Sequence, residues 1–359
     1  MKRGDGKLHF IDRYVGIPLV ALLGFFRIRR KKPAGIHTIA LFEGNAIGDT
    51  VLLLGVIKDV REKYPTSVIT FFVGPTNYEI AKLSKYADKI IRLPLANPAK
   101  SISLIRQEGK FDVFVDLMTW PRISAIYTGF AKAKLKVGFK TPGQHRHYVY
   151  DLTQTHSDQV HEIENFRRLL SLISVPAVNV PTIEIPREPT DKRSIVLHMF
   201  PSGAKAYLKK WPESSWETVA RYFLGKGYTV SITGGPADKP EGEEFAKKFA
   251  SFPDFKNYAG TLSLKDTIAM VSKAQLVISV NTGILHIAAA LHVNLIGLNG
   301  PTSIVRWGPL NTNSVALKSP HPDSPCLNLG FEYKCGNENC NCMALITVEE
   351  VLKNADKFL

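Results

Sequence analysis

Residues 275–301, QLVISVNTGILHIAAALHVNLIGLNGP, constrain this chain more than any other stretch. The order is an apolar run, a polar turn, a short apolar helix, a second apolar run and a Gly-Pro break. Positions 276–280 are almost wholly apolar, as expected of a parallel strand covered on both faces. The turn Asn281-Thr282-Gly283 opens the helix. A helix N-terminus offers unsatisfied N–H donors and about half a positive charge. The segment therefore predicts the ligand end of an α/β sheet, with an anion such as phosphate as the ligand.

The rest of the chain keeps the same alternation. A strand at 37–42 runs into Gly44-Asn45-Ala46-Ile47-Gly48-Asp49 and then a helix over about 50–63, stopped by Pro65. Strands near 68–74, 89–93, 111–117 and 135–139 alternate with helices near 78–84, 101–107 and 123–131. A helix over 160–173 ends at Val175-Pro176. Four prolines (Pro176, Pro181, Pro186, Pro189) then mark a linker. A second series of strands and helices fills 194–298, and a last helix covers 348–358. At 359 residues the chain has room for two domains. The pattern predicts two Rossmann-like α/β halves, each with a parallel sheet, and a ligand cleft at the C-terminal ends of their strands. The expected divisions are an arm at 1–34, a first domain at 35–175, a linker at 176–190, a second domain at 191–345 and a C-terminal helix at 346–359.

Charge is unevenly placed. Residues 1–32 hold nine Lys/Arg against Asp5 and Asp12, a net of +7 out of +14 for the chain. Between the basic groups lies an apolar run at 15–26, 12 residues long and well short of the ~20 needed to span a bilayer. A secretory signal is disfavoured because RIRRKK, not a small-residue cleavage site, follows the run. An interfacial helix on an anionic membrane fits better than a basic tail packed on the domain. Aromatic and basic residues do not interleave as a nucleic-acid surface requires. Cys326, Cys335, Cys340 and Cys342 all lie close together in one C-terminal loop. Reduced thiols, a redox-sensitive or disulfide-stapled loop and a four-thiolate metal site all remain open for them.

Three turns carry candidate chemistry. Asp49 is either a cap for its helix or a general base. In HMFPSGAKAYLKKWP (198–212), Ser202, Gly203 and Ala204 let a backbone approach phosphate oxygens, and Lys205, Lys209 and Lys210 supply cations. A solvated basic loop is the plain alternative. His286 lies one helical turn after Thr282, as a ligand or as a packed residue. There is no D-x-D pair to clamp a metal–diphosphate, no Walker loop and no dinucleotide fingerprint. A nicotinamide-dependent oxidoreductase is thereby disfavoured.

Together these motifs resemble a known family: I-G-D before a helix, a following Lys63-Tyr64-Pro65, K-x-W-P, N-T-G-x-x-H-x-A-A-A-L and G-P-T-S-x-x-x-W-G-P. The pattern is similar to that of the bacterial lipopolysaccharide heptosyltransferases, glycosyltransferase family 9, over about residues 37–359. The resemblance implies the GT-B architecture and a metal-independent, inverting transfer with no cofactor. It implies Asp49 as the catalytic base. It implies donor contacts from Ser202, Gly203, Lys209, Asn281, Thr282, Gly283 and His286. The implied partners are a nucleotide-sugar donor, ADP-heptose first, a lipid-linked saccharide acceptor and an anionic membrane surface, with no nucleic acid. The implied place is the cytoplasmic side of the inner membrane, bound peripherally. The chain departs from the pattern at Asn281, where Asp is common, and at Glu43, where Arg is usual. A non-catalytic member that keeps the fold for sugar-nucleotide or membrane binding is the alternative those departures raise.

Overall fold

The computed structural model describes residues 6–27, 32–186, 190–203, 205–328, 332–333 and 341–359. The chain divides into two units, Met1–Pro181 and Thr182–Leu359.

Unit 1 opens with two helices, α1 (Gly6–Tyr14) and α2 (Gly16–Phe25); α2 is the helix expected over the apolar run at 15–26, and α1 precedes it. The alternating part follows: β1 (Thr38–Glu43), α3 (Ile47–Lys63), β2 (Val68–Val73), α4 (Tyr78–Ala81), β3 (Lys89–Arg92), α5 (Pro98–Gln107), β4 (Phe111–Asp116), α6 (Arg122–Phe130), β5 (Ala133–Lys140), β6 (Leu152–Thr155) and α7 (Glu162–Ser171). All five strand pairings are parallel, in the order β3-β2-β1-β4-β5-β6. The central strands β1 and β4 are buried along nearly their whole length, which is why their interiors are largely apolar. The core includes Phe72 stacked on Phe114 at 5.9 Å between ring centres.

Unit 2 repeats the plan with β7 (Asp191–His198), α8 (Glu213–Gly225), β8 (Thr229–Gly234), α9 (Lys239–Lys247), β9 (Phe255–Ala259), α10 (Leu264–Lys273), β10 (Ala274–Val280), α11 (Gly283–Ala290), β11 (Leu295–Asn299), α12 (Ile304–Trp307) and β12 (Ser314–Lys318). A small hairpin, β13 (Leu327–Asn328) with β14 (Glu332–Tyr333), and α13 (Val348–Ala355) complete it. Its large sheet is also wholly parallel, ordered β12-β11-β10-β7-β8-β9. Trp216, Phe223 and Phe245 fill the core, and Val351 and Ala355 of α13 join it. Side-chain caps start several helices: Ser263 on α10, Ser303 on α12 and Thr347 on α13 each accept a backbone N–H.

The Pro-rich segment is held at two points, and its Pro189 lies outside the described residues. Asp59 Oδ1 accepts from the amides of Val178 (3.2 Å) and Asn179 (2.8 Å), which holds residues 178–179 on α3. The amide of Ile183 donates to the Ala290 carbonyl at 2.9 Å, inside unit 2. Strands β6, β9 and β12 escape the sequence pattern because each lies at a sheet edge. Their residues are half-exposed and mixed, so no apolar run marks them.

Candidate active site

Both sheets place their first strand beside their fourth, β1 beside β4 and β7 beside β10. Chain direction across the sheet reverses at these points, and the loops leaving the C-terminal ends of the two strands part there. In open parallel sheets this is where ligands bind. Each candidate residue lies on one of these loops or on the first turn of the helix that follows.

In unit 1, Asp49 is the third residue of α3, half-exposed in its first turn. The cap position belongs to Ala46, whose side chain makes no cap bond, so Asp49 is not the N-cap. A carboxylate in the first helical turn is favoured by the helix dipole. The turn before it is rigid. Glu43 is buried, and its Oε1 accepts from the amides of Asn45 (3.1 Å) and Ala46 (3.4 Å). Asn77, fully buried, donates from Nδ2 to the Glu43 carbonyl and to Thr50 Oγ1, both at 2.8 Å, and accepts from the Gly74 amide. Gly74 must be glycine: a Cβ there would lie 1.8 Å from the Gly44 carbonyl oxygen. Glu43 thus serves as the scaffold of the turn.

Below the neighbouring loop after β4 lies a buried charge pair that the sequence pattern does not mark. Arg146 and Asp116, both without exposed surface, are joined by a 2.9 Å Nη2–Oδ2 contact. Arg146 also donates to Ser124 Oγ (2.7 Å) and to the Met118 carbonyl, while Tyr150 OH donates to Asp116 Oδ2 (2.7 Å). Burial pushes the Tyr150 phenol well above its ordinary pKa; Arg146 pulls the other way and Asp116 adds to the rise. The pair holds the loops after β4 and β5 together at the edge that carries Asp49.

In unit 2 the structure brings three separate motifs together. Ser202 and Gly203 lie exposed in the loop after β7, with Gly203 at φ +89, a value that suits only glycine well. Ala204 lies outside the described residues. Lys209 closes a 3-10 turn (Ala206–Lys209), and its Nζ donates to the Ser202 carbonyl at 2.6 Å and to the Asn281 carbonyl at 3.4 Å. One ammonium thus bridges the loops after β7 and β10. Thr282 is the N-cap residue of α11, yet its hydroxyl makes no cap bond. Its Oγ1 is buried and has no hydrogen-bond partner. A buried hydroxyl without a partner is costly, so this one is built to meet something else. Gly283 opens α11, and His286, one turn on, is 5% exposed.

Asn281 is held from the other side. Its Nδ2 donates to Asn299 Oδ1 (2.7 Å) and to the Trp307 carbonyl (3.1 Å). The carbonyl is an acceptor only, which fixes the orientation of the amide. A carboxylate in the same place would face acceptors, so Asn281 suits this network better than Asp. The network ties the Asn281 turn to α12 and the Trp307-Gly308-Pro309 turn. At the end of β7, burial lowers the His198 pKa to about 4, against weaker support from hydrogen bonds at Thr233 and Phe200. Its Nδ1 contacts Thr233 Oγ1 at 2.9 Å. The ring is therefore neutral at ordinary pH.

Of the four cysteines, Cys326 and Cys342 are buried, and Cys335 and Cys340 lie outside the described residues. Among the described residues no group of three or more His, Cys, Asp or Glu is placed to hold a metal ion.

Residues 103–335 match glycosyltransferase family 9 (heptosyltransferase). Lipooligosaccharide heptosyltransferase 2 of Haemophilus influenzae is 30% identical over 112 residues, covering 31% of this chain and 32% of that protein. The lipopolysaccharide core heptosyltransferase OpsX of the same organism is 26% identical over 291 residues, 76% of this chain and 82% of that protein. The E. coli heptosyltransferase WaaC, solved with ADP, superimposes with a TM-score of 0.71 at 17% identity, covering 90% of this chain and all of that one. Two parallel six-stranded units of like strand order, the shared fold and the matched span lead to one conclusion: the chain belongs to glycosyltransferase family 9 and has the GT-B fold.

Proposed function

We propose that this glycosyltransferase moves a heptose from ADP-heptose onto the saccharide core of lipopolysaccharide, or onto a related lipid-linked saccharide. The observation that carries the reading is the Thr282 turn. There a buried hydroxyl without a partner, the amides opening α11 and the Lys209 ammonium are gathered at one strand end. Such a set accepts a diphosphate. The relatives named above are heptosyltransferases, and WaaC was solved with ADP.

The chemistry follows from the residue types. Asp49 takes the proton of an acceptor hydroxyl as that oxygen attacks the anomeric carbon. The carbon–oxygen bond to ADP breaks on the opposite face, so configuration inverts in a single displacement. ADP leaves with the bonding electrons, and its new charge is met by Lys209 and the α11 N-terminus. Ser202, Gly203, Asn281, Gly283 and His286 shape the donor pocket. No metal is required for any of these roles. The basic arm places the protein at the inner face of the cytoplasmic membrane, where a lipid-linked acceptor is found. Among the described residues no helix is long and apolar enough to cross a membrane.

The test is ADP release from ADP-heptose with a heptose-deficient lipopolysaccharide acceptor, with and without EDTA. Asp49→Ala is expected to lower kcat by about 10²–10⁴-fold while ADP still binds. Turnover with a UDP- or GDP-sugar in place of ADP-heptose would overturn the donor. Loss of activity in EDTA, restored by a metal, would overturn metal independence. Full activity of Asp49→Ala would remove the base.

A further inference from the structure

The two N-terminal helices are packed on one side and bare on the other. Inward, Val20 is fully buried against Ala125, Val149 and Tyr150, and Gly24 lies so close to Tyr148 that a Cβ would meet it at 2.7 Å. Outward, α1 and α2 expose Phe10, Ile11, Tyr14, Leu22, Phe25 and Phe26, with Phe25 83% and Phe26 72% exposed. Positions 15, 18, 22 and 25 recur at helical spacing, so α2 presents one continuous apolar stripe.

Cations collect at the end of that stripe. Arg27 follows Phe25 and Phe26, and its field, with those of Lys140 and His145, acts on His147. Arg27 Nε and Nη1 and His147 Nδ1 are buried and have no hydrogen-bond partner. Burial, then Lys140, His145 and Arg27 in that order, lowers the His147 pKa. An anion placed among these groups would satisfy the donors and relieve the crowding.

The arm is set on unit 1 by an ion pair. Arg122, 5% exposed at the start of α6, binds Asp12 and donates to the carbonyls of Gln144 (2.9 Å) and Gly143 (3.0 Å). From that loop Arg146 reaches the Met118 carbonyl, and Met118 packs against Gly44 in the turn that leads to Asp49. The outward face and the proposed base are therefore joined through one edge of one sheet.

We propose that α1 and α2 form a fixed platform for an anionic bilayer. Phe25 and Phe26 enter the acyl boundary, and Arg27, Lys140, His145 and His147 take a headgroup phosphate. A bilayer is the occupant that the charge favours. Residues 1–32 carry a net +7, so a second copy of the chain would set +7 against +7. Exposed aromatic side chains beside cations match the interface of an anionic membrane. The platform rests on the lipid-linked acceptor only for its purpose: it holds the Asp49 edge where such an acceptor is anchored.

The experiment is co-sedimentation of the full chain with vesicles of phosphatidylcholine alone or mixed with phosphatidylglycerol, without donor or acceptor. Binding is expected to be about tenfold or more tighter to the anionic vesicles and to weaken with salt. Phe25→Glu with Phe26→Glu should abolish it, and Arg27→Glu with Lys140→Glu should weaken it about tenfold. Each variant should keep its thermal protection by ADP, which shows that it is folded. Free inorganic phosphate should not displace the protein from vesicles. Equal binding to both vesicle types, or undiminished binding by the Phe25/Phe26 variant, would overturn the platform. So would a dimer that the Phe25/Phe26 variant dissolves while vesicles bind nothing. Transfer to a detergent-dispersed acceptor is measured separately. Its failure strikes the proposed reaction, and loss of vesicle binding alone does not.

Discussion

Units 1 and 2 lay their strands in the same relative order, β3-β2-β1-β4-β5-β6 and β9-β8-β7-β10-β11-β12, but treat charge in opposite ways where β1 meets β4 and β7 meets β10. Unit 1 buries a full ion pair, Arg146 with Asp116, and carries a half-exposed acid, Asp49, on the first turn of α3. Unit 2 buries neutral polar groups instead: Asn281, Asn299 and a neutral His198. Its charges near this point are the Lys209 ammonium, over a helix start whose Thr282 hydroxyl has no partner, and the Arg306 guanidinium, buried over the Trp307 ring. On the proposed reading, one backbone plan serves a proton acceptor in one unit and an anion site in the other. The chemistry lies in the turns, because the sheet only fixes where the turns meet.

The contrast breaks most severely at the buried pair. Asp116→Ala strands the Arg146 guanidinium, and about 3–5 kcal/mol of stability should go, read as the fall in urea midpoint. A loss under 1 kcal/mol would mean that the pair does not hold unit 1.

Unit 2 should instead show its weakness with pH. His198 has a folded pKa of about 4, below its ordinary 6.5. Its unfolded form therefore takes up a proton first as pH falls. The stability it contributes is full above pH 6.5 and declines from there to about pH 4, by about 3 kcal/mol in all. The difference in unfolding free energy between the native chain and His198→Gln, followed from pH 7 to 4, isolates this slope. A flat difference would show that His198 is not held neutral.

A smaller effect separates the roles of the turns. Lys209→Met should weaken ADP binding about tenfold to a hundredfold by calorimetry, as expected for a charge-assisted contact. Asp49→Asn should leave ADP affinity unchanged. Equal losses in the two would erase the division of labour between the units.

The finest test is Thr282→Val. An N-cap threonine commonly contributes about 1 kcal/mol, but this hydroxyl makes no cap bond. The variant should keep full thermal stability and lose about fivefold in ADP affinity. A drop in melting temperature with unchanged affinity would make Thr282 a structural cap.

Much of this was legible in residue order. Strands β1, β4, β10 and β11 announce themselves because both faces are covered, so most of their positions are apolar. The turn at Asn281-Thr282-Gly283 and the lysines after β7 were marked by residue type alone. Edge strands β6, β9 and β12 were missed, since a half-exposed strand needs no apolar run. The start of α3 was misplaced because Ala46 sits at the cap position without any capping side chain. The apolar run at 15–26 suggested one helix, and α2 fills it; α1, which precedes the run, carries mixed residues and was not marked.

By itself the sequence determined the α/β class and the two-unit plan, because apolar periodicity and turn chemistry are local properties of the chain; the family came from the resemblance of its motifs. Tertiary structure alone decided which polar groups meet. Lys209 finds the Asn281 carbonyl 72 positions away, Asn281 finds Asn299 and Trp307, and Arg146 finds Asp116. These meetings follow from strand order and register, and a buried polar group leaves no periodic trace that names its partner. Glu43 and Asn281, departures when read as letters, became a turn scaffold and a loop tie once their hydrogen bonds could be seen.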